Sequence, residues 1–172
     1  MRPLIVFSHG KDAPPWGKKI SFLAPVAREA GWDVHSVDYT DLPDPDERAA
    51  RLRSLDFGSP SRLVLAGSSM GGYVSVLASE RLRPDGLFLM APAFYLPGYG
   101  NGDPRPFARH VHICSGWNDD VVPVESSIRF ARATRAELHL FNSDHALWDV
   151  LPAIGLLFSA FLRQVLAGQP SF

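Results

Sequence analysis

Apolar positions along the chain fall into two alternating kinds of run. Short, nearly continuous apolar stretches occupy Leu4 to Ser8, Asp33 to Asp38, Arg62 to Ala66, Gly86 to Met90, His110 to Ser115 and Glu137 to Phe141. That is the pattern of strands covered on both faces. Between them lie segments of helical period. Trp16 to Ala30 sets Ile20, Leu23, Ala27 and Ala30 on one side, with Gly31 as a C-terminal stop. Asp44-Pro45-Asp46-Glu47 is a helix start, with an N-cap acid, proline at N1 and glutamate at N3. Met70 to Arg81 and Pro123 to Ala133 follow strands, and Ile154, Leu157, Phe158, Phe161, Leu162 and Val165 form the clearest stripe.

Six strands separated by helices predict a doubly wound, mostly or wholly parallel sheet with right-handed crossovers. The expected fold class is α/β, a three-layer α/β/α sandwich forming a single domain over residues 1–172. No internal repeat interrupts it. The one long irregular segment, Ala91 to Arg109, is rich in Pro, Gly and aromatics. Because it follows a strand, it should lie at the end of the sheet where ligands bind.

Charge changes this picture little. Seventeen basic residues face eighteen acidic ones, a formal net charge of -1, which offers no electrostatic footprint for nucleic acid or an anionic membrane. No apolar stretch has the length to span a bilayer. The run Leu4-Ile5-Val6-Phe7 ends in Ser8-His9-Gly10 without a cleavage pattern and reads as a strand, not a leader. The single cysteine, Cys114, excludes an internal disulfide and sits mid-strand as a small core residue. The expectation is a cytoplasmic monomer that handles a small molecule.

Chemistry enters at Gly67-Ser68-Ser69-Met70-Gly71-Gly72, which contains G-x-S-x-G between an apolar strand and a helix. A serine on a sharp strand-to-helix turn brings the positions two residues away against other backbone. Only small residues fit there, hence Gly67 and Gly71 around Ser69. Ser68 has the wrong spacing for the same role. A serine hydroxyl needs a base within hydrogen-bond reach. His35, His110, His112 and His139 fall inside strands and read as structural. His145 follows the last strand, in Asn142-Ser143-Asp144-His145-Ala146, at the same sheet end as Ser69. A carboxylate to orient it is offered by Gly116-Trp117-Asn118-Asp119-Asp120-Val121-Val122-Pro123. Position alone does not separate Asp119 from Asp120, one of which could simply cap a helix.

G-x-S-x-G, then G-x-x-D-x-x-V-P, then a late D-H resembles the α/β-hydrolase superfamily, as does the chain order Ser, Asp, His. The resemblance covers nearly the whole chain and implies Asp119 as the acid. It also implies that His9-Gly10, at the end of the first strand, begins the oxyanion loop. The backbone N–H groups of Lys11 and Met70 would then be the two donors, and Gly10 would let backbone pass close to substrate. Two strands that usually precede the H-G strand are absent, and so is the cap found in many relatives. The chain looks like a compact, lidless esterase-like member.

The function so implied is a serine hydrolase (carboxylesterase-like) acting on a small ester or thioester through an acyl-enzyme on Ser69. Phe94, Tyr95, Tyr99, Phe107, Trp117 and Trp148 are candidates to line an apolar pocket. Lys11, Arg105 and Arg109 read as solvated charge rather than an anion site. No cofactor is called for. No set of histidines and carboxylates has metal-site spacing along the chain, so no metal is expected. The alternative, a binding protein on a hydrolase fold, differs in what loss of Ser69 would do.

Overall fold

The computed structural model describes residues 1–168. Its elements run β1 (Leu4–Ser8), α1 (Lys18–Glu29), β2 (Asp33–Val37), α2 (Pro45–Ser54), β3 (Leu63–Ser68), α3 (Met70–Leu82), β4 (Gly86–Met90), β5 (His110–Gly116), α4 (Val124–Thr134), β6 (Glu137–Phe141) and α5 (Leu151–Ala167). The six strands make one sheet in the order β2-β1-β3-β4-β5-β6, and every pair is parallel.

Local chemistry explains some element ends and sheet pairing others. Asp44 accepts hydrogen bonds from the N–H groups of Asp46 and Glu47, at 2.8 and 2.9 Å, and so caps α2 ahead of Pro45. Helix α1 begins two residues later than its apolar period suggests, because Pro14 to Gly17 closes a turn first. Strand β3 runs two residues further than its apolar run, since Gly67 pairs with Ser8 of β1 and Ser68 with Met90 of β4. The serine motif is therefore strand on one side and helix on the other.

Strand alternation divides the core in two. Ile5, Phe7, Val64, Ala66, Phe88 and Cys114 face α1 and α5. Val6, Leu65, Leu87, Leu89 and Ile113 face α2, α3 and α4. On the first side Phe158 packs against Phe7 and Phe88 with ring centroids 6.1 and 4.8 Å apart. Burial of side chains of this size is worth about 1.5–3 kcal/mol each. The sheet thus gains from both faces, as the continuous apolar runs require.

The strand order reverses between β1 and β3, so the loops after them leave toward opposite faces and open a crevice at their C-terminal ends. The segment between β4 and β5 crosses the same end without forming a cap among the described residues. No described helix is long and apolar enough to cross a membrane.

Candidate active site

Ser69 stands in that crevice with φ 54° and ψ -119°, a strained turn between β3 and α3. Two glycines permit it. A Cβ at Gly67 would lie 2.2 Å from the Gly71 carbonyl oxygen, and one at Gly71 would lie 1.9 Å from that of Ser8. The turn is tied down by the Ser69 N–H donating to Met90 O at 2.9 Å and by Ala93 N–H donating to Ser69 O at 3.0 Å.

His145 comes from the loop after β6. Its Nε2 lies 3.1 Å from Ser69 Oγ, and its Nδ1 lies 2.8 Å from Asp119 Oδ2. The other Asp119 oxygen accepts from Val121 and Val122 N–H, at 2.9 and 2.7 Å. Asp119, not Asp120, is therefore the partner of the imidazole, and it caps its own turn as well. Burial opposes ionisation of Asp119. The His145 hydrogen bond, the two backbone donors and the imidazole charge outweigh burial and hold its pKa below the ordinary carboxylate value. The acceptor carboxylate makes Nδ1 the protonated ring nitrogen and leaves Nε2 free to take the serine proton.

Two loops must meet for this. Asn118 N–H donates to Ser143 O at 3.0 Å, and Trp117 N–H to Phe141 O at 2.8 Å. Gly116 makes room, since a Cβ there would fall 2.2 Å from the Ser143 carbonyl oxygen. Asp144 accepts from Ala146 and Leu147 N–H, so His145 sits inside a capped turn ahead of α5.

His9 does not face the crevice as a reactive group. It is buried, its Nε2 accepts from Tyr39 N–H at 3.0 Å, and its Nδ1 donates to Gly10 O at 2.8 Å. Burial lowers its pKa, in keeping with a neutral ring that braces the loop after β1. Gly10 lies beside Ser69, but a Cβ there would meet nothing nearer than 3.6 Å. Clearance for a bound molecule, not protein packing, is what a side chain at Gly10 would reduce. Lys11 lines the crevice. Met70 opens α3, where the first N–H groups of a helix lack intrahelical acceptors.

Two residues of the site escaped the sequence reading. Arg48, almost fully buried, donates from Nε to Leu42 O and from its terminal nitrogens to the carbonyls of Gly10 and Lys11, at 2.6, 3.3 and 3.4 Å. Drawing those carbonyls down turns the adjoining N–H groups of the loop away from Arg48. Lys19 Nζ donates to Ser68 Oγ at 3.0 Å and to His145 O at 3.2 Å. Burial lowers its pKa to about 8, against the pull of Asp119 and Asp144. Both sit among apolar helix positions, Arg48 between Pro45, Ala49 and Leu52 and Lys19 beside Ile20 and Leu23. A charge on the buried face of a helix was the available signal.

The cleft around Ser69 and His145 encloses about 500 Å³. Of the six aromatic candidates only Tyr99 and Trp148 line it. Phe94 is buried and stacks on Phe130, Tyr95 packs under Arg129, Phe107 lies under Arg83, and Trp117 is exposed. Arg105 pairs with Asp103 at 2.7 Å, on the exposed surface.

Solved structures share this architecture. A protein of Xanthomonas campestris pv. campestris assigned to the alpha/beta hydrolase superfamily matches with a TM-score of 0.84 and 29% identity, over 94% of this chain and 97% of that one. Est1E from Butyrivibrio proteoclasticus matches at 0.80 and 18% identity, over 96% and 89%. A serine hydrolase without a lid, also from Xanthomonas campestris, matches at 0.70 and 19% identity, over 100% and 85%. No family model and no curated protein sequence matches the chain.

Proposed function

This chain has the fold of the α/β-hydrolase superfamily, and on that premise we propose that it is a serine hydrolase cleaving a small carboxylic ester or thioester. The observation that carries the reading is the unbroken series Asp119, His145, Ser69, with contacts of 2.8 and 3.1 Å at the topological switch point. Ser69 Oγ attacks the carbonyl carbon while His145 Nε2 takes its proton, and Asp119 holds the ring and stabilises the imidazolium. The oxyanion forms between the N–H groups of Lys11 and Met70, each donor contributing about 3–4 kcal/mol to the transition state. Collapse expels the alcohol or thiol, which leaves with the proton from His145. Water, activated by the same imidazole, then releases the acid and restores Ser69. No step calls on a cofactor.

The cleft suits a small soluble substrate. Its size is that of an ordinary small-molecule pocket, and Leu96, Tyr99, Val121 and Trp148 give it apolar walls for an acyl group. Without a cap, little would enclose a long lipid chain.

Fluorophosphonate labelling and p-nitrophenyl ester turnover test this in wild type beside Ser69→Ala. Labelling lost in the variant, with turnover down about 10⁵-fold or more, is the expected result. A folded wild type that neither labels nor hydrolyses esters of any chain length would overturn the proposal.

A further inference from the structure

A second group of histidines with a carboxylate lies away from Ser69, in the half of the sheet nearer the start of its strands. In the β5–β6 register His112 stands opposite Glu137, and Cys114 opposite His139. Alternation along both strands therefore puts His112, Glu137 and His139 on one face, the face covered by α5, where Phe161 packs on His112 at 4.9 Å. One ligand atom from each of the three lies within 4.8 Å of the others. Glu137 Oε2 is 3.1 Å from His112 Nε2, and its Oε1 is 3.4 Å from His139 Nε2.

These contacts are not hydrogen bonds in direction. Nε2 of His139 is buried without a hydrogen-bond partner, and the ring nitrogens of the buried His112 have none of good geometry, the Gln164 side chain being the one hydrogen-bonding group that reaches them. His112 is only 6% exposed. A buried imidazole nitrogen left unpaired is costly unless something accepts its lone pair. The spacings suggest what does. Donors about 2.1 Å from a tetrahedral zinc ion sit about 3.3–3.4 Å from one another. Here the two Glu137 oxygens lie 3.1 and 3.4 Å from one imidazole each, and one ligand atom from each residue falls within 4.8 Å of the others, so a small side-chain movement closes the group on an ion. Two imidazoles and a carboxylate are borderline ligands that suit zinc-like ions rather than magnesium or calcium. Access is open, because β6 is the edge strand and the side chains of Glu137 and His139 are 49% and 21% exposed.

We propose that His112, Glu137 and His139 bind one zinc-class divalent ion, which clips the edge strand β6 to β5 beneath α5. Three protein ligands leave a fourth position for water, facing the sheet edge. The site stands apart from Ser69 and does not depend on the hydrolase reading. Spacing along the chain could not reveal it, because the ligands come from two strands separated by α4.

The test is calorimetric titration of Zn²⁺ into the full chain after treatment with a chelator, with Mg²⁺ as control. Wild type should bind one equivalent of zinc and no magnesium. Glu137→Gln and His139→Gln, both at partly exposed positions, should each bind at least about 100-fold more weakly. His145→Ala should keep full stoichiometry, which separates this site from the imidazole beside Ser69. Saturating zinc should raise the wild-type Tm by about 5–10 °C and leave the two weakened variants unmoved. Absent zinc binding in wild type, binding unchanged in Glu137→Gln and His139→Gln, or binding abolished by His145→Ala would each overturn the proposal.

Discussion

Two of the places where the described residues set histidine against a carboxylate, at His145 and at His112 with His139, differ in direction more than in distance. At the C-terminal end of the sheet, His145 Nδ1 meets Asp119 at 2.8 Å along a hydrogen bond, and the ring's other nitrogen faces Ser69. Nearer the other end, His112 and His139 approach Glu137 at 3.1 and 3.4 Å, yet no hydrogen bond forms. Aligned, the pair fixes a tautomer and can carry a proton. Unaligned, the same groups leave lone pairs uncommitted, which suits a cation. Composition does not separate the two places; the loop geometry around His145 and the strand register around His112 do.

The sharpest way to break this comparison is to remove direction from the first pair while keeping its shape. Asp119→Asn should lower kcat by about 10⁴-fold, because the amide no longer selects the Nδ1-protonated ring. Asp120→Asn should change turnover less than about threefold. Equal effects of the two, read from p-nitrophenyl acetate kinetics, would dissolve the assignment of Asp119.

Next comes the loop after β1, which carries the proposed oxyanion donor Lys11. Arg48→Met leaves the carbonyls of Leu42, Gly10 and Lys11 without their donor. Displacement of that loop by about 1 Å should cost about 10–100-fold in kcat with a smaller change in KM. A variant with altered thermal stability but unchanged kcat would show that Arg48 braces the fold without positioning the loop.

Lys19 extends the comparison to pH. Its folded pKa is about 8, while the unfolded chain keeps the ordinary lysine value of about 10.4. Between these values the unfolded chain holds the proton and the folded chain has released it. Stability should therefore rise with pH through that window, by up to about 2–3 kcal/mol. The burden of the buried charge is fully present below pH 8. Urea denaturation at pH 7 and 9.5 should show this rise in wild type and a flatter response in Lys19→Met. An identical rise in both would assign it to other groups.

The smallest expected effect belongs to the second cluster. Glu137→Gln should leave ester turnover within about twofold of wild type, since it stands at the start of β6 on the edge of the sheet. A larger loss in steady-state assays would couple two places that otherwise share only the strands between them.

Much of this is legible in the amino-acid sequence. The strands follow from apolar runs, because a sheet covered on both faces leaves no polar alternation to obscure them. The end of β3 is not legible in this way, because Gly67 and Ser68 carry no strand preference and are held there by pairing with β1 and β4. The aromatic candidates are not sorted by sequence into lining and core. Phe94 and Tyr99 lie in the same segment, yet one fills the core and the other the cleft.

The sequence by itself determined what neighbouring residues can settle among themselves. The turn at Ser69 is such a case in part: Gly67 must clear the Gly71 backbone within five residues, whereas Gly71 must clear Ser8 of β1, a demand that only the sheet imposes. The cap at Asp44 is another. Only the tertiary structure decided which carboxylate meets His145, that buried Arg48 holds the loop after β1, that Lys19 reaches the loop of His145, and that His112, Glu137 and His139 converge. Each joins segments far apart along the chain. Their meeting depends on sheet order, strand register and loop crossing, which are fixed by the packing of the whole core and written in no single stretch of it.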